Sequence, residues 1–224
     1  MAHVSARYPG INPVFFIGAS AGGVNAFSTL ASMLPEDFPS PVFFLLHRLR
    51  DSKVNSTRLL PLLEAKSNLP VKVADAGELV RSGHIYLPRD NLHIGVDDNH
   101  IFYSDLPDDE PWRPSIDFLF KSGAREYKDR SIAILLTGKL DDGTQGMIET
   151  THQGGITVAQ SPTDAYEPHL PLQALMKDHP THVLPLVDIP KLMCEFVRHA
   201  HFANQKDVFE ESAKIAKSLK QQLK

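Results

Sequence analysis

Near the start of the chain, VFFIGASAGGV (Val14–Val24) runs four apolar residues into Gly18, Ser20, Gly22 and Gly23. Gly18, Ser20 and Gly22 satisfy Gly-x-Ser-x-Gly, a spacing that lets the backbone turn sharply from strand into helix and expose a serine hydroxyl. The helix start that follows supplies N–H groups and the positive end of a dipole, which suit an oxyanion. A plain helix-start turn of small residues is the bland alternative. A third reading takes the stretch as a dinucleotide fingerprint, Gly-x-Gly-x-x-Gly. Ser20 then stands where the middle glycine must let the backbone approach a pyrophosphate. The second strand moreover ends in His47, not in an acid for the ribose hydroxyls. Both departures disfavour a nucleotide and leave reactive side chains in its place.

A serine nucleophile needs a base, and the base needs an orienting carboxylate. His47 closes FFLLH, where a parallel strand beside the first would end. The carboxylate candidates are Asp141 and Asp142 in ILLTGKLDDGTQG, one of which is expected to cap the next helix; the residues alone leave both open. The order Ser, His, Asp differs from that of α/β-hydrolases, whose elbow also follows a later strand, so a different scaffold is implied. His93 and His169 are reserve bases whose expected role is structural. Arg113, in PWRPS, is a candidate contact for an acidic protein surface, against the ordinary expectation of a solvated loop arginine.

Positioning these residues calls for an open α/β sheet with the chemistry beyond the carboxyl ends of its strands. VFFI and PVFFLL are continuously apolar, as strands covered on both faces are, SIAILLTG and GITVAQ are expected as further strands, and VNAFSTLASML, STRLLPLLEAKS (despite Pro61) and TQGMIETTHQ carry helical spacing. HIYLP, NLHIGV and HIFYS are short and close together, and are expected to form one or two antiparallel hairpins on the sheet edge. Ser115 is placed to N-cap IDFLFKSGAREY. HVLPL is expected as the last strand, followed by two helices, the second over Asp207–Leu223 with a partial stripe of Val208, Phe209, Ile215, Leu219 and Leu223. The expected fold is a doubly wound, mainly parallel α/β sheet flanked by helices, with a small antiparallel hairpin insertion.

With 224 residues the chain can bury a substantial core, and its 42% hydrophobic and 22% charged content is that of a globular domain. The formal charge of −4 gives no basic footprint for nucleic acid. The single cysteine, Cys194, excludes an intramolecular disulfide and fits a reducing compartment; a small buried hydrophobe is its expected role. No apolar run approaches a membrane span and no signal-peptide core is present, so a cytoplasmic location without membrane insertion is expected.

As an ordered set, IGASAGG, LLHRL, AGELVRSGHIYLPRDNLHIGV, RPSIDFLFKSGA, ILLTGKLDDGTQGM, GGITVAQ and LPLQA resemble the catalytic domain of the chemotaxis protein-glutamate methylesterase (CheB) family, from Val14 to Val187. The expected organisation is a catalytic domain of this type over residues 1–200 and, from the closing apolar stripe, a C-terminal helical extension over 201–224. The resemblance implies a triad of Ser20, His47 and Asp142 and backbone oxyanion candidates at Ala21, Lys139 and Leu140; Arg113 and His169 are the candidate substrate contacts. The implied reaction is hydrolysis of glutamate methyl esters on a methylated chemoreceptor or other methylated signalling protein, with possible glutamine deamidation. No metal or organic cofactor is implied. The rim departs from the family pattern: Ala21 replaces threonine, Lys139-Leu140 replaces Met-Gly, Arg48-Leu49 replaces Met-Pro, and His169-Leu170-Pro171 replaces Gly-Met-Pro. Only a short segment precedes Val14 in this sequence, so the family's receiver domain is not expected within it. The competing functional reading is a catalytically inactive sensory or docking module that keeps the fold.

Overall fold

β1 (Val14–Ala19) is buried at every position, and its alternate side chains feed two separate cores. Phe15, Ile17 and Ala19 face one side with Phe44, Leu46 and Ile134, while Val14 and Phe16 face the other with Phe43, Leu45 and Leu135. The structure, a computed structural model, describes residues 12–47, 56–105 and 113–198.

The chain alternates β1, α1 (Gly23–Met33), β2 (Val42–Leu46), α2 (Ser56–Glu64), β3 (Val71–Val73) and β4 (Ile85–Leu87). A hairpin of β5 (His93–Asp97) and β6 (His100–Ser104) follows, then α3 (Ile116–Tyr127), β7 (Ser131–Leu135), α4 (Thr144–His152), β8 (Ile156–Gln160), α5 (His169–Lys177), β9 (His182–Leu184) and α6 (Ile189–Arg198). Seven strands form one sheet in the order β3-β4-β2-β1-β7-β8-β9, every pairing parallel. α1 and α6 cover one face, through Phe27 and Leu30 and through Ile189, Met193 and Phe196. α3, α4 and α5 cover the other, through Leu119 and Phe120, Met147, and Leu170 and Ala174. Fully burying a side chain of this size contributes about 1.5–3 kcal/mol, so both faces hold the sheet.

The doubly wound expectation holds, and so does the Ser115 cap, whose hydroxyl accepts the Phe118 N–H. Two local expectations need correction. HIYLP is not part of a hairpin: Ile85–Leu87 inserts as β4 between β2 and β3, in parallel with both, and Val42 donates its N–H to His84 at 2.9 Å. The true hairpin lies over α3 and not along the sheet edge. Phe102 meets Phe118 there, Val96 donates to the Ser122 hydroxyl, and Glu126 accepts the N–H groups of Asp98 and Asn99 at the turn. LPLQA lies in a helix, α5, whose Pro171 falls in the first turn, where no intrahelical N–H is needed. The expected helix over Asp207–Leu223 lies outside the described residues.

Candidate active site

β1 and β2 run side by side with Ala19 level with Leu46, so Ser20 and His47 each stand one residue beyond the last paired positions. The His47 N–H donates to the Ala19 carbonyl at 2.7 Å, and the Ser20 N–H donates to Thr137 at 3.0 Å, just past β7 on the other side. Three adjacent strands, β2, β1 and β7, therefore deliver His47, Ser20 and the Thr137–Gly143 turn to one edge.

Past Ser20 the chain reverses through Gly22, at φ +83°, a left-handed conformation that a side chain would disfavour. α1 then begins with no side-chain cap, and the Gly23 N–H folds back onto the Ser20 carbonyl at 2.9 Å. Ser20 is half-buried.

His47 is buried, and its Nε2 lies 3.5 Å from Oδ2 of Asp142. Asp142 is itself seated on the N-terminus of α3. Its Oδ1 accepts from the Ser115 hydroxyl at 2.9 Å and the Asp117 N–H at 2.9 Å, and its Oδ2 accepts from the Ile116 N–H at 2.7 Å. Asp141 points the other way, toward Lys177 on α5 at 3.1 Å. Of the two aspartates that the sequence leaves open, geometry brings only Asp142 to His47. Neither caps α4 through its side chain; that helix is capped from outside, by Asp117 Oδ1 accepting the Gly143 N–H at 2.9 Å and the Gly146 N–H at 2.7 Å. Burial first, then the neighbouring Asp142 charge, push the Asp117 carboxyl up to about 6.

Gly138 forms the third wall. A methyl group there would lie 2.7 Å from the Ser20 Cβ and 3.0 Å from its backbone nitrogen. The N–H and C=O of Gly138 bind Glu167 and Leu170, and the Thr137 hydroxyl binds the Ala21 carbonyl, so the segment ahead of α5 is tied to the turn after Ser20. Tyr166, 84% exposed, stands against Gly22. His169 is also exposed, at the start of α5.

The oxyanion candidates sit on two sides of Ser20. Ala21 is half-buried; Lys139 and Leu140 are exposed, and Leu140 holds φ +70°. Arg113 is not a solvated loop residue: it is 1% exposed. His93 is no reserve base. It is fully buried, its Nδ1 accepts the Ser115 N–H at 3.1 Å, and burial, then the Arg113 charge, push it down to about 4. Cys194 is half-buried and its thiol is pushed up by burial.

The sequence reading passed over Thr137, Gly138 and Asp117. The first two carry a usable signal, since they follow a fully apolar strand at its carboxyl end. Asp117 carries only that of an acid in a first helical turn. Among the described residues no group of three or more His, Cys, Asp or Glu side chains is arranged to hold a metal ion. No described helix is long and apolar enough to cross a membrane.

The profile of the family CheB methylesterase matches residues 15–193. A Thermotoga maritima protein named protein-glutamate methylesterase/protein-glutamine glutaminase is 30% identical over 189 residues, which are 82% of this chain and 54% of that protein. A Leptospira interrogans protein, provisionally named for the same two activities, is 33% identical over 177 residues, 79% of this chain and 90% of its own length. The crystal structure of the Thermotoga maritima CheB methylesterase catalytic domain superposes with a TM-score of 0.77 at 28% identity, covering 83% of this chain and 99% of that one.

Proposed function

Because the chain belongs to the CheB methylesterase family, we propose that it hydrolyses glutamate methyl esters on a methylated chemoreceptor or related signalling protein. Ser20 is the nucleophile, His47 the general base and Asp142 the acid that orients it. The observation that carries this reading is the 3.5 Å approach of His47 Nε2 to Asp142, with His47 and Ser20 one residue beyond the level ends of β2 and β1.

With Nε2 turned to the carboxylate, Nε2 bears the hydrogen and Nδ1 is the basic atom. Nδ1 takes the Ser20 proton as Oγ attacks the ester carbonyl carbon. The imidazolium then protonates the departing methoxide, leaving methanol and a glutamyl ester on Ser20. Water, deprotonated by the same nitrogen, cleaves that ester and regenerates the hydroxyl. Such proton transfers contribute about 10²- to 10⁴-fold, and a contact that is long in the resting enzyme tightens as the imidazole becomes charged. The negative oxygen of each tetrahedral intermediate is served by the N–H groups of Ala21, Lys139 and Leu140. Each such donor supplies about 3–4 kcal/mol. With a glutamine side chain the same steps release ammonia.

His169 and Tyr166 form the exposed rim where a protein substrate meets Ser20. We assign the catalytic unit to residues 1–200 and an extension to 201–224. We place the protein in the cytoplasm, a reading supported by its family and its single cysteine. The decisive experiment measures methanol release from methylated receptor fragments by the wild type and by Ser20→Ala. Release is expected to vanish in the variant, and full activity there would refute the proposal.

A further inference from the structure

Asp142 and Asp117 exchange hydrogen bonds across two helix starts. The Asp142 carboxylate accepts the Ile116 and Asp117 N–H groups of α3, and the Asp117 carboxylate accepts the Gly143 and Gly146 N–H groups at the start of α4. We propose that Asp117 is a positioning residue for the hydrolysis, holding the turn that carries Asp142 in the place from which Asp142 meets His47. This rests on the reading of Asp142 as the orienting acid.

α4 has no side-chain cap of its own, so Asp117 is the carboxylate that answers the exposed N–H groups and positive dipole end at that helix start. Gly143, the residue after Asp142, sits at φ +102°, a conformation that glycine holds weakly unless its neighbours pin it. The Asp117 carboxylate does so within one residue of Asp142, while the Asp117 N–H grips Asp142 itself. Removing the carboxylate frees the turn that carries Asp142 from its hold on Gly143 and Gly146. The contact it then endangers is the 3.5 Å one to His47.

The charges around Asp117 add a second, electrostatic link. Asp142 faces it from the turn before α4, Lys121 from its own helix, and His47 lies beyond Asp142. Burial and Asp142 push Asp117 up to about 6, with Lys121 and the two N–H groups opposing. Once ionised, Asp117 favours a charged imidazole at His47. Replacing it by a neutral amide removes that charge and leaves one oxygen to accept both N–H groups.

The test measures kcat and KM for methanol release from a methylated receptor fragment, across pH, for the wild type, Asp117→Ala, Asp117→Asn and Ser20→Ala, with folding checked by circular dichroism. Asp117→Ala is expected to lower kcat about tenfold or more with little change in KM, as misplacement of a catalytic group does. In Asp117→Asn the amide oxygen still accepts both N–H groups. Most of kcat is expected to return, and the acid limb of the pH profile to move to lower pH. A folded Asp117→Ala with wild-type kcat, or an Asp117→Asn no better than the alanine variant, overturns the inference while Ser20-dependent activity stands. If the alanine variant does not fold, an unmoved acid limb in Asp117→Asn overturns it. Absence of Ser20-dependent turnover in the wild type overturns the functional reading itself, and this inference with it.

Discussion

Nε2 of His47 lies 3.5 Å from Oδ2 of Asp142, and that same oxygen accepts the Ile116 N–H at 2.7 Å. One carboxylate thus caps α3 and lies against the imidazole, joining the stability of a helix start to the proposed chemistry.

Asp142→Asn tests this double duty. The amide turns N–H donors toward groups that already donate, so the carboxamide cannot satisfy α3 and hold the imidazole tautomer together. kcat is expected to fall about 10³- to 10⁴-fold, and loss of the charged cap to cost about 1–2 kcal/mol in urea denaturation. A loss of activity with no loss of stability would separate the two roles.

Gly138→Ala probes the wall behind the nucleophile. The added methyl meets the Ser20 Cβ at 2.7 Å, the Leu170 Cδ2 at 2.9 Å and the Ser20 nitrogen at 3.0 Å, and the backbone nitrogen has little freedom to retreat. Overpacking of this kind costs about 1–3 kcal/mol. The accompanying shift of Ser20 is expected to lower kcat about 10²-fold. Wild-type kinetics would mean that the β1–β7 edge yields more than its hydrogen bonds imply.

Leu140 holds φ +70° while 41% exposed, so little burial offsets its strain. Relief of about 1–2 kcal/mol on replacement by glycine is partly cancelled by about 0.5–1 kcal/mol of added chain entropy. Leu140→Gly is expected to be more stable by about 0.5–1 kcal/mol, read as a higher urea midpoint at unchanged slope. A lower midpoint would show that the leucine side chain contributes packing that its exposure conceals.

Two buried groups oppose each other in the pH dependence of stability. His93 is pushed down from 6.5 to about 4, so unfolding takes up a proton between those values and its contribution is lost as pH falls from 6.5 toward 4. Asp117 is pushed up from 3.8 to about 6, so the folded state keeps a proton that the unfolded chain has released, and its contribution is lost as pH rises through 6. Each slope is about 1.4 kcal/mol per pH unit within its window, and the two nearly cancel between pH 4 and 6. Asp117→Asn is expected to gain stability from pH 4.5 to 6, and His93→Asn to lose it, in urea titrations. Parallel pH curves for both variants would contradict the assignment.

The sheet centre is legible in the sequence because VFFI and FFLL are apolar at every position and SIAIL at every position after Ser131, as a strand buried on both faces requires. Ser20 and His47 follow from that placement, since each comes directly after such a strand. β3 and β4 are three residues each, too short for any period to declare itself, so β4 passes for half of a hairpin. α5 is hidden by Pro168 and Pro171, which punctuate a sequence yet suit a helix start. Arg113 misleads because charge predicts exposure. The Asp117–Gly143 bond joins residues 26 apart, through a contact between helix starts that no local pattern encodes.

The Ser20 amide ends the β1–β7 ladder and the His47 amide ends the β2–β1 ladder, at 3.0 and 2.7 Å. Fraying starts at such terminal rungs, ahead of the interior of a sheet. Deuterium uptake at these two amides will therefore register dismantling of the reactive pair before the fold opens, which makes them built-in reporters of an inactive yet still folded population.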